Sequence, residues 1–222
     1  PIVVNRDTVA IEAMREVDEL AWFNPSSVHR AGQAARHRLE LARRDIAELI
    51  GARPREITFT SGGTEAIDLA IEGVLGALPP TRRELVTTEI EHAAIRDLGE
   101  ELAVLGRAKV LQVPPESDGV ISPGALANAV TPATGLISVQ WANNETGAIQ
   151  PVREIAALAR ARGLLFHIDA TQWVGKQPTN LRDTSDDPWC DLITFAPHKF
   201  HGPKGVGVLW THPRVRLRPR AP

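Results

Sequence analysis

Residues 194–207 read TFAPHKFHGPKGVG and follow the apolar run Asp191-Leu192-Ile193, which is typical of a buried strand. The chain has four lysines, and Lys199 stands at this strand end, directly after His198 and before a Gly-Pro-Lys-Gly turn. A lysine in such a place can be partly desolvated, which favours the neutral amine that attacks an aldehyde. The pattern therefore indicates a lysine that can form a Schiff base.

Strand and helix signals alternate along the rest of the chain. Seven short apolar or β-rich runs are predicted as strands, at 57–60, 85–88, 109–113, 136–140, 164–168, 191–195 and 206–210. Helices are predicted at 28–50, 62–75, 92–105, 122–130 and 152–162. This alternation predicts an α/β fold of three layers, αβα, with a mainly parallel central sheet. In such sheets the ligand lies outside the carboxyl ends of the strands.

A glycine pair stands at one of these strand ends. Gly62 and Gly63 separate the strand 57–60 from the next helix, and Thr64 follows them. Free N–H groups at a helix start can bind a phosphate, and the Thr64 hydroxyl can add a donor. The alternative is a glycine-rich turn with Thr64 as an ordinary helix cap.

Four further polar residues occupy comparable positions. Asp169 ends the run LLFHI and can pair with a protonated pyridine nitrogen, or it can cap the following segment. Gln172 and Asn144 can hydrogen-bond a phenolic oxygen, although Asn144 is also typical of a simple turn. His92 can stack on a pyridine ring and move protons, or it can be a solvated helix-start histidine. With Lys199, these residues predict a site for pyridoxal 5′-phosphate, and no metal site is predicted.

The bulk composition narrows the classes of protein. The chain has 222 residues, 43% of them hydrophobic, and a net charge of -2, which gives no electrostatic basis for binding nucleic acid or an anionic membrane. Its single cysteine, Cys190, excludes an internal disulfide and is expected to be buried and inert. We expect a soluble, cytoplasmic protein with no membrane segment.

Six motifs occur in an order that resembles the cysteine desulfurase family, within the class V aminotransferases of fold type I pyridoxal-phosphate enzymes. They are NPSSVHRAG (24–32), FTSGGTEAIDLAIEG (59–73), EIEHAAI (89–95), ANNETGAIQPV (142–152), FHIDATQWVGKQP (166–178) and APHKFHGPKGVGVLW (196–210). The resemblance implies that residues 1–222 are the cofactor-binding large domain of a fold type I transferase. Within it we expect an N-terminal segment at 1–25, a core at 26–210 and a tail at 211–222, with the family's C-terminal small domain absent from this chain.

The resemblance also implies a role for each residue of the site. Lys199 would carry the cofactor as a Schiff base, His92 would stack on its ring, and Asp169 would hold the pyridine nitrogen. Asn144 and Gln172 would hold the phenolic oxygen. The phosphate would be bound by Gly63, Thr64 and His198. Ala196 stands where the family usually has a serine, so one hydroxyl of the phosphate site is lost.

The implied activity is conversion of L-cysteine to L-alanine, with the sulfur passed to a persulfide cysteine for iron–sulfur cluster assembly or tRNA thiolation. Expected partners are a second copy of the chain or a complementary subunit carrying the small domain, together with a sulfur-acceptor protein. Apolar surface around Trp141, Trp173 and Trp210 is expected to seek such a partner. Two alternatives stay open: another class V enzyme, such as a C–S lyase, epimerase or aminotransferase, and a non-catalytic scaffold or regulatory homologue.

Overall fold

The computed structural model describes residues 7–182 and 187–219. Its strands are Ile57–Thr60 (β1), Glu84–Thr88 (β2), Lys109–Val113 (β3), Thr134–Gln140 (β4), Leu165–Asp169 (β5), Leu192–Phe195 (β6) and Gly207–Thr211 (β7). The α-helices of the described residues are Thr8–Leu20 (α1), Arg30–Leu49 (α2), Gly63–Ala77 (α3), Ala93–Val104 (α4), Pro123–Ala129 (α5) and Val152–Ala161 (α6). Short 3-10 helices cover Pro54–Glu56, Pro80–Arg82 and Pro197–Lys199.

The seven strands form one sheet in the order β1-β7-β6-β5-β4-β2-β3. Strand β7 is antiparallel to both of its neighbours, while the other neighbouring pairs are parallel. The predicted mainly parallel sheet is therefore confirmed. Because β2, β4, β5 and β6 run in one direction, their carboxyl ends lie at the same edge of the sheet.

Successive residues of the central strands face two different cores, as the pleat of a strand requires. Val86 of β2 and Ile137 of β4 belong to a core shared with α5 and α6. Their neighbours Leu85 and Leu136 belong to a second core shared with α3 and α4. Helices therefore cover both faces of the sheet, and the predicted three-layer αβα architecture is confirmed.

The start of β7 makes a close backbone contact with the turn that precedes α3. A Cβ atom added at Gly207 would lie 2.2 Å from the carbonyl oxygen of Gly62. Only glycine leaves room for this approach. The contact links the strand after the Lys199 motif to the glycine pair that opens α3.

The N-terminal part of the chain contains a helix that the sequence analysis did not predict. Helix α1 lies within the predicted segment 1–25 and buries none of its residues. At the other end of the chain, β7 continues to Thr211, one residue beyond the predicted core. Residues 1–6 of the predicted segment and 220–222 of the predicted tail lie outside the described residues. No helix in the described ranges is long and apolar enough to cross a membrane.

The expectation of an exposed tryptophan surface is wrong for two of its three members. Trp210 is 0% exposed and its indole N–H donates to Glu56 at 3.0 Å. Trp141 is 7% exposed and stacks on Trp173 with ring centroids 4.5 Å apart. Trp141 and Trp210 both belong to the same buried core as α5 and α6, so their side chains do not form an exposed surface for a partner. Exposed apolar side chains lie instead beside α1, where Trp22 is 69% exposed.

Candidate functional site

The carboxyl-end edge of the sheet holds a cavity of about 200 Å³. All nine residues singled out from the sequence line it, namely Gly63, Thr64, His92, Asn144, Asp169, Gln172, Ala196, His198 and Lys199. They reach it from the ends of five strands, β1, β2, β4, β5 and β6, or from the segments that follow them. The topology of the sheet thus brings together residues that are up to 136 positions apart, from Gly63 to Lys199.

Asp169 supplies a buried carboxyl group at the end of β5, and it is 6% exposed. Burial raises the pKa of Asp169, while hydrogen bonds from Thr171 and the positive charges of His92 and Lys199 lower it in part. The backbone N–H of Thr171 donates to its Oδ1 at 3.0 Å. Such a carboxylate is stabilised further when a cation binds beside it, as a protonated ring nitrogen would.

His92 is the N-cap residue of α4. Its Nδ1 accepts a hydrogen bond from the backbone N–H of Ala94 at 3.1 Å. The lone pair of Nδ1 is therefore used, and in the neutral ring the proton is assigned to Nε2. The sequence left open whether His92 is a solvated helix-start residue or a site residue; it caps the helix and also lines the cavity.

The N-terminus of α3 is suited to bind an anion. Its N-cap residue, Gly62, has no side chain that could cap the first backbone N–H groups. A Cβ at Gly63 would lie 3.4 Å from Cβ of Ala196, so the glycine lets the backbone approach the end of β6. Thr64 adds a hydroxyl beside these backbone N–H groups. Together they form a cradle of the kind that binds phosphate at helix N-termini.

The Lys199 motif forms a single 3-10 turn after β6. The N–H of Lys199 donates to the carbonyl of Ala196 at 3.1 Å, which closes this turn. Burial lowers the pKa of His198, and the neighbouring charges of Lys199 and Lys204 lower it further. An imidazole that is kept neutral among positive charges lies in an environment that favours an anionic ligand.

Two adjacent asparagines, Asn143 and Asn144, lie in the turn after β4 and have different roles. The side-chain oxygen of Asn143 accepts from the backbone N–H groups of Glu145 and Thr146, each at 2.8 Å. Asn143 therefore makes the turn, and Asn144 lines the cavity. The turn that was the alternative role for Asn144 is therefore made by the side chain of Asn143.

Four polar residues in or beside the cavity were not assigned to the site from the sequence. Gln140 and Thr171 line the cavity. Lys176 donates to the side-chain oxygen of Gln172 at 2.5 Å. Glu91 is buried behind His92 and bonds to the end of β4. Two of them stand directly beside a predicted site residue in the sequence, Glu91 before His92 and Thr171 before Gln172, and this was a usable signal.

Cys190 lies away from this cavity and is 2% exposed. Burial raises its pKa well above that of an ordinary thiol, and the carboxylate of Asp191 adds to the rise. A thiol in this environment is neither accessible nor ionised, so it is a poor nucleophile. The expectation that Cys190 is buried and inert is confirmed.

The chain is similar in sequence to a known protein family and to characterised proteins. The aminotransferase class-V family model matches residues 5–220. A cysteine desulfurase of Cereibacter sphaeroides is 45% identical over 211 residues, which cover 95% of this chain and 53% of that protein. The chain thus spans about half the length of the curated relatives it matches.

Two solved structures have the same fold. One, called a NifS-like protein, has a TM-score of 0.92 and 35% identity, over 98% of this chain and 59% of its own. The other, described as SspA in complex with cysteine, has a TM-score of 0.90 and 31% identity, over 98% of this chain and 62% of its own.

Proposed function

Because the chain belongs to the aminotransferase class-V family, we propose that it binds pyridoxal 5′-phosphate in the cavity at the carboxyl ends of β2, β4, β5 and β6. The observation that carries this proposal is the convergence of Lys199, Asp169 and the N-terminus of α3 on one cavity of about 200 Å³. These supply a primary amine, a buried carboxyl group and free backbone donors. An aldehyde, a pyridine nitrogen and a phosphate need these three partners, so the residues fit the cofactor.

We assign each side chain the role that its chemistry supports. Lys199 Nζ is the amine for the cofactor aldehyde, and Asp169 pairs with the ring nitrogen. His92 lies against the ring, while Asn144 and Gln172 donate to the phenolic oxygen. The phosphate is bound by Gly63, Thr64 and His198, and Ala196 contributes no hydroxyl there.

When bound, the cofactor supplies an electron sink that weakens the bonds to Cα of an amino acid. Asp169 supports this role because its negative charge would stabilise a protonated ring nitrogen. The interaction is strong because the carboxyl group is buried and little screened by water. Lys199 Nζ can take up and return a proton at the Cα of a bound amino acid. His92 can exchange a proton through Nε2, because its Nδ1 is occupied by the N–H of Ala94.

The substrate we propose is L-cysteine, and the reaction is desulfuration. L-cysteine and a thiol, R–SH, give L-alanine and a persulfide, R–S–SH, so atoms balance without an added oxidant. Support comes from the cysteine desulfurase relative and from the structure described with cysteine. Cys190 does not fit the role of R–SH, because it is buried and its pKa is raised. The accepting thiol is therefore provided by another part of the assembled protein or by a partner.

Several finer features belong to the same proposal. We infer that the sulfur serves iron–sulfur cluster assembly or thiolation, and that a sulfur-acceptor protein collects it. We also infer that the chain works in the cytoplasm, as a homodimer or with a subunit that carries a small domain. The exposed Trp22 and Phe23, whose rings stack 4.2 Å apart beside α1, support an association of this kind.

The experiment has two stages. The protein is incubated with pyridoxal phosphate, reduced with borohydride and mapped by peptide mass spectrometry, with Lys199→Ala as control. A pyridoxyl group on Lys199, absent in the variant, supports the cofactor site. Alanine formation from L-cysteine is then measured with excess dithiothreitol as the thiol. A reduced adduct spread over Lys109, Lys176 and Lys204 would instead contradict the proposal and favour a scaffold.

A second candidate is another class V reaction that needs no protein thiol, such as a C–S lyase. The burial of Cys190 favours it, because this chain's cysteine cannot take the sulfur. The products discriminate between the two. A lyase would convert L-cysteine and water to pyruvate, ammonia and hydrogen sulfide, whereas the desulfurase releases alanine.

A further inference from the structure

Glu91 is a buried carboxyl group to which the proposed function gives no role. It lies in the turn between β2 and α4, directly before His92, and is 2% exposed. A buried carboxyl group is costly unless it is hydrogen-bonded. Its partners therefore show what this position does for the site.

The partners of Glu91 join two strand ends. The hydroxyl of Thr88, the last residue of β2, donates to Oε1 of Glu91 at 2.6 Å. The backbone N–H of Gln140, the last residue of β4, donates to both carboxyl oxygens at 3.1 and 3.0 Å. Strands β2 and β4 are neighbours, but their ladder pairs only residues 84–86 with 134–137. Glu91 thus bridges the ends of the two strands beyond their ladder.

A second set of bonds reinforces the same junction. The carbonyl of Ile90 accepts from the side-chain amides of Gln140 and Asn143, the latter at 3.0 Å. Asn143 also forms the turn that presents Asn144 to the cavity. The turn carrying His92 is therefore bonded to the turn carrying Asn144, and both residues line the cavity.

We propose that Glu91 is a positioning residue: it clamps the turn that carries His92 to the end of β4 and so fixes the His92 ring relative to Asp169. This inference rests on the proposed cofactor site, because the ring of the cofactor is what His92 would face. Glu91 itself is absent from the lining of the cavity, so it acts through the turn and not by contact with the ligand.

The charge state of Glu91 suits this role. Burial raises the pKa of Glu91 to about 8, and the nearby carboxyl of Asp169 adds to the rise. At neutral pH Glu91 is mainly protonated, so it can bind Thr88 and Gln140 without placing a second negative charge beside Asp169. Glutamine has the same shape as a protonated glutamate and can make the same two contacts.

The test compares Glu91→Gln and Glu91→Leu with a matched pair at Glu84. Glu84 begins β2, is also 2% exposed, and accepts from the hydroxyls of Thr131 and Thr134 at 2.7 and 2.6 Å. It lies at the amino ends of the parallel strands, opposite the cavity at their carboxyl ends. Three quantities are measured: the dissociation constant for pyridoxal phosphate, the induced circular dichroism of its absorption band, and urea unfolding of the cofactor-free protein.

We expect Glu91→Leu to weaken cofactor binding by about tenfold and to reduce the induced dichroism, and Glu91→Gln to stay within about threefold of the original chain. Glu84→Leu should lower stability but leave both cofactor signals unchanged. Equal cofactor signals for folded Glu91→Leu and Glu84→Leu would overturn the inference. If the unsubstituted chain forms no adduct at Lys199, the proposed function fails instead.

If Glu91→Leu does not fold, Thr88→Val tests the same clamp. It removes one hydroxyl from the clamp and leaves the carboxyl and the Gln140 bond in place. We expect a smaller loss of induced dichroism in the same direction, with a loss of affinity of about threefold. A folded Thr88→Val protein with unchanged dichroism and affinity would contradict the clamp.

Discussion

The ammonium group of Lys176 donates to the side-chain oxygen of Gln172 at 2.5 Å, which leaves the side-chain N–H₂ of Gln172 as a donor for the cavity that it lines. Burial lowers the pKa of Lys176, and the charge of Lys199 lowers it further. Two of the four lysines of the chain are thus electrostatically coupled at the site. Although Lys176 is exposed, this contact orients the side-chain amide of Gln172 at the cavity.

Replacing Lys176 by methionine should disturb the orientation of Gln172. Methionine keeps the length of the side chain but removes the donor, so the Gln172 amide is free to rotate. We expect the dissociation constant for pyridoxal phosphate to rise by about two- to fivefold, the value of one partly exposed hydrogen bond. An absorbance titration measures it. Lys204→Met is the control, and an equal effect there would indicate a general loss of positive charge.

Replacing Ala196 by serine should strengthen cofactor binding. Ala196 is 1% exposed, lines the cavity and lies next to Gly63 of the α3 N-terminus. A hydroxyl at this position can donate to the phosphate, and we expect binding to tighten by about tenfold. Ala196→Val, which adds volume without a donor, should weaken binding. If Ser and Val have the same effect, the phosphate does not lie beside residue 196.

Most of the fold could be predicted because the strands have strong local signals. The bounds of β1 and β3 coincide with the predicted runs, and Ser122, the first residue of the predicted helix 122–130, is the N-cap of α5. Helix α1 was missed although Ala10, Met14 and Val17 recur at helical spacing, and none of its residues is buried. Trp210 was misjudged because its neighbours come from distant parts of the chain: its indole N–H donates to Glu56, which lies 154 positions earlier.

The site could be predicted to the level of its lining residues and no further. Parallel strands that end at one edge necessarily bring their following residues together, which is why Asp169 and Lys199 meet. The supporting contacts depend on tertiary structure. Glu91 bonds to Gln140, 49 positions away, and nothing in the local sequence marks that pair.

Asp169→Asn should separate cofactor binding from chemistry. The amide keeps the shape of the carboxyl group but cannot stabilise a positive charge on the ring nitrogen. We expect the adduct at Lys199 to persist, while deuterium exchange at Cα of L-alanine slows by at least about a hundredfold. Exchange is followed by proton NMR. Asp191→Asn is the control, because Asp191 is also buried but accepts hydrogen bonds from Arg214 and the backbone N–H of Phe166, away from the cavity lining. Unchanged exchange in Asp169→Asn would refute the assigned role.

Gly207→Ala should displace the turn that precedes α3. The added Cβ would lie 2.2 Å from the backbone oxygen of Gly62, and a backbone atom cannot move aside as a flexible side chain can. We expect a loss of about 1–3 kcal/mol in the free energy of unfolding and a weaker affinity for pyridoxal phosphate. Gly124→Ala in α5 is the control, since its Cβ would meet only Ser122 Oγ at 3.4 Å. A stable Gly207→Ala protein would show that this contact is not required.

Glu91 should make a contribution to the stability of the cofactor-free protein that decreases as the pH rises from about 5 to 8. Its pKa is raised from 4.5 to about 8, so the native state retains a proton that the unfolded state has lost. The stabilisation of the native state that comes from this raised pKa is fully present below pH 4.5 and is lost as the pH rises through 8. Within this range the free energy of unfolding decreases by at most about 1.4 kcal/mol per pH unit.

The difference between the original chain and Glu91→Gln isolates this contribution from those of other groups. Glutamine does not titrate, whereas Asp169 and the buried His167 do so in both proteins. The lowered pKa of His167, about 3, destabilises the native state as the pH falls below 6.5, which is the opposite direction. Urea unfolding of both proteins at several pH values gives the difference. A difference that does not change between pH 6.5 and 8 would mean that Glu91 is ionised in the native protein, and that Asp169 tolerates a second charge beside it.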